Sequence, residues 1–253
     1  MDTAEDRGMD QADGYDTFLD MLDTLVYENV EEQSNTMRES LRALRTNIQF
    51  CGDDVRVVLF TSVVPNEGKS TVVQNLGRSF ASSGKKVLVV DSDMRKSVMA
   101  GRNSTTRDAR GLSEVLNGIA KLMDCIYATQ FENLHVLFAG KYPPNPVELL
   151  NGEYFDKVLE FVSEAYDYVI IDTAPLGMVI DAAVIAAKCD SSIVVIRNNS
   201  VKYSQAQDVV DQLHKSGCNV LGVVLNDTER KSGSYYRRKK NYGYGAYYAS
   251  GKK

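Results

Sequence analysis

Residues 55–80 restrict the possible folds more than any other stretch. Val55-Arg56-Val57-Val58-Leu59-Phe60 is an apolar run of strand length, and Val72, Val73, Leu76 and Phe80 recur at helical spacing. Between them lies Thr61-Ser62-Val63-Val64-Pro65-Asn66-Glu67-Gly68-Lys69-Ser70-Thr71. A strand, a tight turn and a helix opened by Gly-Lys-Ser form the setting in which free backbone N–H groups and the helix dipole collect an anion. Gly68 has no Cβ to keep a phosphate from the backbone. Lys69 suits β- and γ-phosphate oxygens, and the Ser70 hydroxyl suits Mg²⁺. Pro65, Asn66, Glu67 and Thr71 complete the candidate cofactor-binding loop. The pattern G-x-x-x-x-G-K-[ST] is broken at its first glycine, where Val63 stands. The competing explanation is an ordinary βα turn whose Gly-Lys-Ser is incidental.

Two later strands end in carboxylates. Lys86-Val87-Leu88-Val89-Val90-Asp91 runs into Asp91-Ser92-Asp93-Met94-Arg95, and Asp167-Tyr168-Val169-Ile170-Ile171-Asp172 runs into Thr173-Ala174-Pro175. Acids at the carboxyl ends of parallel strands lie where α/β sheets bind ligands. Of Asp91 and Asp93, one could serve as a general base toward a hydroxyl and the other could hold a metal or its waters; a polar strand end with a helix cap is the alternative. An apolar run closed by Asp172 is common by itself, but after a Gly-Lys-Ser loop it has the form of a segment that holds the Mg²⁺ shell. Further strands are expected at 133–140, 192–197 and 219–226, and helices at 111–118, 153–165, 181–189 and 203–215. Pro146 fits the first position of another helix. The alternation implies an α/β fold: a mostly parallel sheet with helices on both faces, like a P-loop NTPase, with flexible tails. The candidate segments then meet at one sheet edge. Asn226, at the end of the last strand, is a candidate to read a nucleotide base. His135 alternates with apolar residues and is expected to be a satisfied structural histidine. Residues 97–111 are expected to form an exposed loop.

Residues 34–50 predict a helix with Met37, Leu41, Leu44 and Ile48 on one stripe. Glu39, Arg42 and Arg45 form a ridge beside it, for which spacing favours a solvated face with a weak intrahelical ion pair over a subunit contact. The chain is expected to divide into an acidic segment over 1–34, a domain over 35–228 and a tail over 229–253. Phe18, Leu19, Leu22, Leu25 and Val26 suggest a short amphipathic helix in the first segment. The formal net charge of −5 argues against general nucleic-acid binding. Cys51, Cys125, Cys189 and Cys218 lack metal-ligand spacing and read as reduced thiols of the cytoplasm. No apolar run approaches the ~20 residues that span a bilayer. The tail carries Tyr235, Tyr236, Tyr242, Tyr244, Tyr247 and Tyr248 among Arg237, Arg238, Lys239 and Lys240, with no aliphatic side chain larger than Ala. It could be an adhesive or base-stacking tail, or its phenols could be phosphorylation substrates, each gaining about −1.5 to −2 charges.

Taken together, these residues resemble the bacterial tyrosine kinases (BY-kinases) that control capsule and exopolysaccharide synthesis. The resemblance covers Walker A at 62–71, the second Walker segment hhhDxDxR at 87–95 and Walker B at 169–175. It also covers the E-x-x-R-x-x-R oligomerisation motif at Glu39, Arg42 and Arg45, and the tyrosine tail. It implies a kinase using ATP and Mg²⁺ that phosphorylates its own tail in trans. Lys69 would hold phosphate, and Ser70, Asp93 and Asp172 would organise Mg²⁺. Asp91 would accept the phenol proton, and Glu39, Arg42 and Arg45 would meet across subunits of a ring such as an octamer. It also implies a cytoplasmic chain brought to the inner face of the membrane by an adaptor of the polysaccharide co-polymerase type, and a cognate tyrosine phosphatase. The alternatives are a ParA/MinD-like ATPase switch, which would carry a further Lys early in the loop, and a non-catalytic adaptor of a polysaccharide assembly complex.

Overall fold

The computed structural model describes residues 33–99 and 109–228, together with the backbone of 24–25. The tail tyrosines, nearly all of the acidic segment and residues 100–108 lie outside the described residues.

The strands are β1 (Thr24–Leu25), β2 (Val57–Ser62), β3 (Val87–Asp91), β4 (Ile126–Thr129), β5 (Leu134–Leu137), β6 (Tyr168–Asp172), β7 (Ser191–Arg197) and β8 (Val220–Asn226). They form one sheet in the order β1-β4-β5-β3-β6-β2-β7-β8, in which, among the described residues, β4 and β5 pair antiparallel and the other neighbours pair parallel. The helices are α1 (Asn35–Gln49), α2 (Lys69–Ala81), α3 (Leu112–Leu116), α4 (Pro146–Asn151), α5 (Glu153–Ala165), α6 (Asp181–Ala186) and α7 (Tyr203–Lys215).

Successive side chains of a strand point to opposite faces, so each central strand feeds two cores. Val58, Phe60, Val87, Val89, Ile170, Ile193 and Val195 pack with Leu41 and Ile48 of α1 and with Val72, Val73, Leu76 and Phe80 of α2. Leu59, Leu88, Val90, Val169, Ile171 and Val194 pack on the other face with Leu112, Leu150, Phe155, Val162, Ile185 and Leu213. Burial on both faces explains why these strands read as unbroken apolar runs. Ser34 caps α1 by accepting a hydrogen bond from the Met37 N–H at 3.2 Å. In contrast, α2 starts at Gly68 with no side-chain cap.

Three expectations need correction. Leu25 belongs to β1, which pairs with β4, and so it is not part of an amphipathic helix; β4 offers a free edge, and main-chain pairing there outweighs a short run's helical periodicity. Met99, expected in an exposed loop, is fully buried against the α1–α2 core. His135 is structural but not fully satisfied. Its ring meets Tyr166 edge-on at 5.5 Å, its Nδ1 has no hydrogen-bond partner, and burial, aided by the Lys86 charge, pushes its pKa down to about 4. It therefore stays neutral at physiological pH.

Candidate active site

The sheet order places β3, β6 and β2 side by side, so the three motif-bearing strands discharge at one edge. Asp91 and Asp172 are register partners at the ends of β3 and β6, each about 1% exposed. The loop after β2 arrives next to them. Lys69, at the first turn of α2, forms an ion pair with Asp172, and the Ser70 hydroxyl also bonds that carboxylate. Burial raises the pKa of Asp172, against the opposing influence of Lys69 and Ser70. Burial and then repulsion from Asp172 push Asp91 up to about 7, although Ser97 donates to it. The Ser97 hydroxyl lies 2.5 Å from Asp91 Oδ2, and the Asp93 N–H lies 3.1 Å from Oδ1. Asp93 is half-buried, and its Oδ1 accepts the Lys96 N–H at 2.9 Å. Arg95 donates to Asp181, at the start of α6, through two hydrogen bonds of 2.8 and 3.0 Å. This fastens the segment after β3 to the neighbouring helix.

The phosphate loop is fixed by backbone geometry. Gly68 has φ +82°, and a Cβ there would lie 2.1 Å from Asn226 Nδ2. Asn66 also has positive φ, at 66°. Pro65 and Asn66 are exposed, while Thr71 is half-buried. Asn226 donates its Nδ2 to the Glu67 carbonyl at 3.0 Å, so its amide holds the loop. Glu67 does not face outward. Its carboxylate is 2% exposed and accepts the N–H groups of Val63 at 2.7 Å and Val64 at 2.9 Å. Those two donors are thereby engaged, which leaves the uncapped start of α2 as the anion-facing edge.

Glu39 and Arg42 form an exposed intrahelical pair at 2.7 Å. Arg45 instead turns inward and donates to the Ser79 carbonyl at the end of α2 at 2.5 Å. The pairing of Ser97 with Asp91 and of Ser200 with Glu67 was not foreseen from sequence: Ser97 follows Asp91 closely but at no spacing that a motif marks, and Ser200 lies far along the chain from Glu67.

A Gly-Lys-Ser helix start beside two strand-end aspartates, on a sheet with helices on both faces, defines a P-loop α/β protein of the nucleotide-binding class. A family model described as an AAA domain matches residues 66–219. The chain is 40% identical over 203 residues to tyrosine-protein kinase CpsD of Streptococcus agalactiae, covering 80% of this chain and 89% of that one. The solved kinase domain of the Escherichia coli tyrosine kinase ETK superposes with a TM-score of 0.73 at 32% identity, covering 82% of this chain and 80% of that domain. The septum site-determining protein MinD from Pyrococcus horikoshii OT3, complexed with Mg-ADP, is more distant, with a TM-score of 0.60 at 29% identity, covering 70% of this chain and 72% of that one. The chain belongs to the bacterial tyrosine-protein kinase family.

Proposed function

We propose that this protein transfers the γ-phosphoryl group of ATP to tyrosine hydroxyls, foremost Tyr235, Tyr236, Tyr242, Tyr244, Tyr247 and Tyr248 of a second copy's tail. The observation that carries this reading is the buried meeting of Lys69, Ser70, Asp91 and Asp172 at the uncapped start of α2. The donors suit Mg²⁺: they are hard oxygens, and a divalent cation would offset the burial, and the lesser carboxylate repulsion, that raise the pKa of both aspartates. Among the described residues no three His, Cys, Asp or Glu side chains are grouped to enclose an ion. That accords with a cation that keeps waters and takes phosphate oxygens as further ligands. Ser70, Asp93 and Asp172 would hold Mg²⁺, which when bound neutralises charge developing on the phosphates. Lys69 would leave Asp172 for the β- and γ-phosphates. Asp91 would take the phenol proton as the phenol oxygen bonds to phosphorus and the bond to the β-phosphate oxygen breaks. The relation to named tyrosine-protein kinases supports this assignment.

The same reading places the protein in a homo-oligomer built through Glu39, Arg42 and Arg45. It also places the protein in the cytoplasm, recruited to the inner membrane face by a polysaccharide co-polymerase adaptor and reversed by a tyrosine phosphatase, in control of capsule or exopolysaccharide synthesis. Among the described residues no helix is long and apolar enough to cross a membrane. The test is mass spectrometry of the tail after incubation with ATP and Mg²⁺. Phosphotyrosine in wild type and none in a folded Lys69→Met variant is expected. Free phosphate without phosphotyrosine would instead identify an ATPase switch, and undiminished phosphotyrosine in the variant would reject the assigned site.

A further inference from the structure

We propose that Glu67 is a positioning residue that moulds the phosphate loop and ties it to the root of the C-terminal tail. The inference rests on the nucleotide reading of the loop but not on the identity of the phosphoryl acceptor. Each carboxylate oxygen serves a different segment. Oε2 accepts the Val63 and Val64 N–H groups at 2.7 and 2.9 Å. Oε1 accepts the Ser200 hydroxyl at 2.6 Å and the Arg197 N–H at 3.3 Å. All four donors are neutral, and the side chain is 2% exposed. Four hydrogen bonds from two segments converge on this one buried side chain, which makes it a firm junction.

The loop needs such a junction because Val63 stands where the motif has its first glycine. The bonds from Val63 and Val64 close the start of the loop onto Glu67. They direct the following residues to Gly68, whose left-handed conformation leaves no room for a side chain beside Asn226. On the far side, Arg197 and Ser200 flank the turn between β7 and α7. The Arg197 guanidinium pairs with Asp227 at 2.7 Å, and the Asn198 N–H donates to the Asn226 carbonyl at 2.9 Å. The Asn226 side chain donates to the Glu67 carbonyl. Residues 226–228 lead directly into the tyrosine tail. Glu67 therefore joins the two regions: its carboxylate holds the start of the phosphate loop and the turn after β7, and its main-chain carbonyl holds Asn226, just before the tail.

The test uses the full chain in four forms: wild type, Glu67→Ala, Glu67→Gln and Ser200→Ala. Mg-ADP affinity is measured by calorimetric titration, with thermal melts and residue-resolved amide hydrogen exchange. Leaving two loop N–H groups without their acceptor should weaken Mg-ADP binding about tenfold or more in Glu67→Ala. Glu67→Gln should fall between that variant and wild type, because its single carbonyl oxygen can still accept from the loop. Ser200→Ala removes one exposed donor and should weaken binding about two- to threefold with its melt unchanged. Exchange at Val63 and Val64 should rise together with exchange at 226–228, while the amides of β3 and β6 stay protected. Wild-type affinity in Glu67→Ala would overturn the proposal; should that variant not fold, wild-type affinity in both Glu67→Gln and Ser200→Ala would do so. Unaltered exchange at 226–228 in Glu67→Gln and Ser200→Ala would remove the link to the tail. A wild-type protein that fails to bind Mg-ADP would instead reject the nucleotide reading, and tail phosphorylation plays no part in either measurement.

Discussion

Two carboxylates packed side by side out of water repel each other and lose hydration, so Asp91 and Asp172 burden the fold in proportion to their charge. Asp91, pushed up to about 7, binds its proton more tightly in the folded protein than in the unfolded chain. The stability contributed by that proton is complete below the ordinary Asp range and is lost as pH rises through about 7. Replacement by a neutral isostere should restore it. Asp91→Asn is expected to raise the unfolding free energy by about 1–3 kcal/mol at about pH 8 and to change it little at about pH 4. Denaturant titrations at the two pH values check this, and equal effects at both would show that the charge is not the cause. The same proton should appear in catalysis. If Asp91 is the base, kcat/KM for ATP, which reads the free enzyme, should climb through about pH 7 in wild type. Stability and activity thus draw on opposite protonation states of one residue, as expected where a site is strained for chemistry.

The elements around the site meet by close backbone contact, and that is where substitutions should be felt most. A Cβ on Gly177, in the loop after β6, would sit 2.2 Å from the Val63 carbonyl oxygen. The two loops are pinned there by the Leu176 N–H, which donates to the Ser62 carbonyl at 2.9 Å and to Thr61 Oγ1 at 3.1 Å. Neither backbone can yield as a flexible side chain would. Gly177→Ala should therefore destabilise by about 1–3 kcal/mol and weaken nucleotide binding as well. Thermal melts with and without Mg-ADP check this, and a variant with unchanged melting and affinity would refute the close approach. Nothing in the sequence marks Gly177, whereas β2, β3 and β6 were legible because burial on both faces makes each a continuous apolar run ending at the site. The limits of α5 and α7 were legible from helical periodicity and the glycines beside them. Ile126-Tyr127-Ala128-Thr129 of β4 escaped because it is short and half-exposed, and it gains strand structure only from pairing with Leu134–Leu137. At the candidate site, the meeting of Lys69, Ser70, Asp91 and Asp172 was legible because the motifs place them at the ends of strands that the alternating pattern sets in one sheet. The inward turn of Glu67 was not, because its partners near residues 63 and 200 become neighbours only when β2 and β7 pair.

At the scale of the whole molecule, the ridge of Glu39, Arg42 and Arg45 on α1 holds two kinds of arginine. Arg42 and Glu39 have side chains 61% and 69% exposed, and their intrahelical bond is of the kind worth only about 0.3–0.5 kcal/mol. Exchanging that bond for one to a neighbouring subunit would sacrifice little. Arg45 already serves its own subunit by donating to the Ser79 carbonyl, where a positive charge also favours the end of α2. The two should therefore respond differently to truncation. Arg42→Ala should lower the assembly mass in light scattering while shifting monomer stability by less than about 0.5 kcal/mol. Arg45→Ala should lower the monomer's melting temperature as well, because it removes a contact between α1 and α2 together with any intersubunit one. If Arg42→Ala leaves the mass unchanged, the ridge is a solvated helix face and assembly must be sought elsewhere. If it lowers the mass and tail phosphorylation falls with it at fixed ATP, the phenols are being delivered by a neighbouring subunit, since the site of each subunit remains intact in that variant.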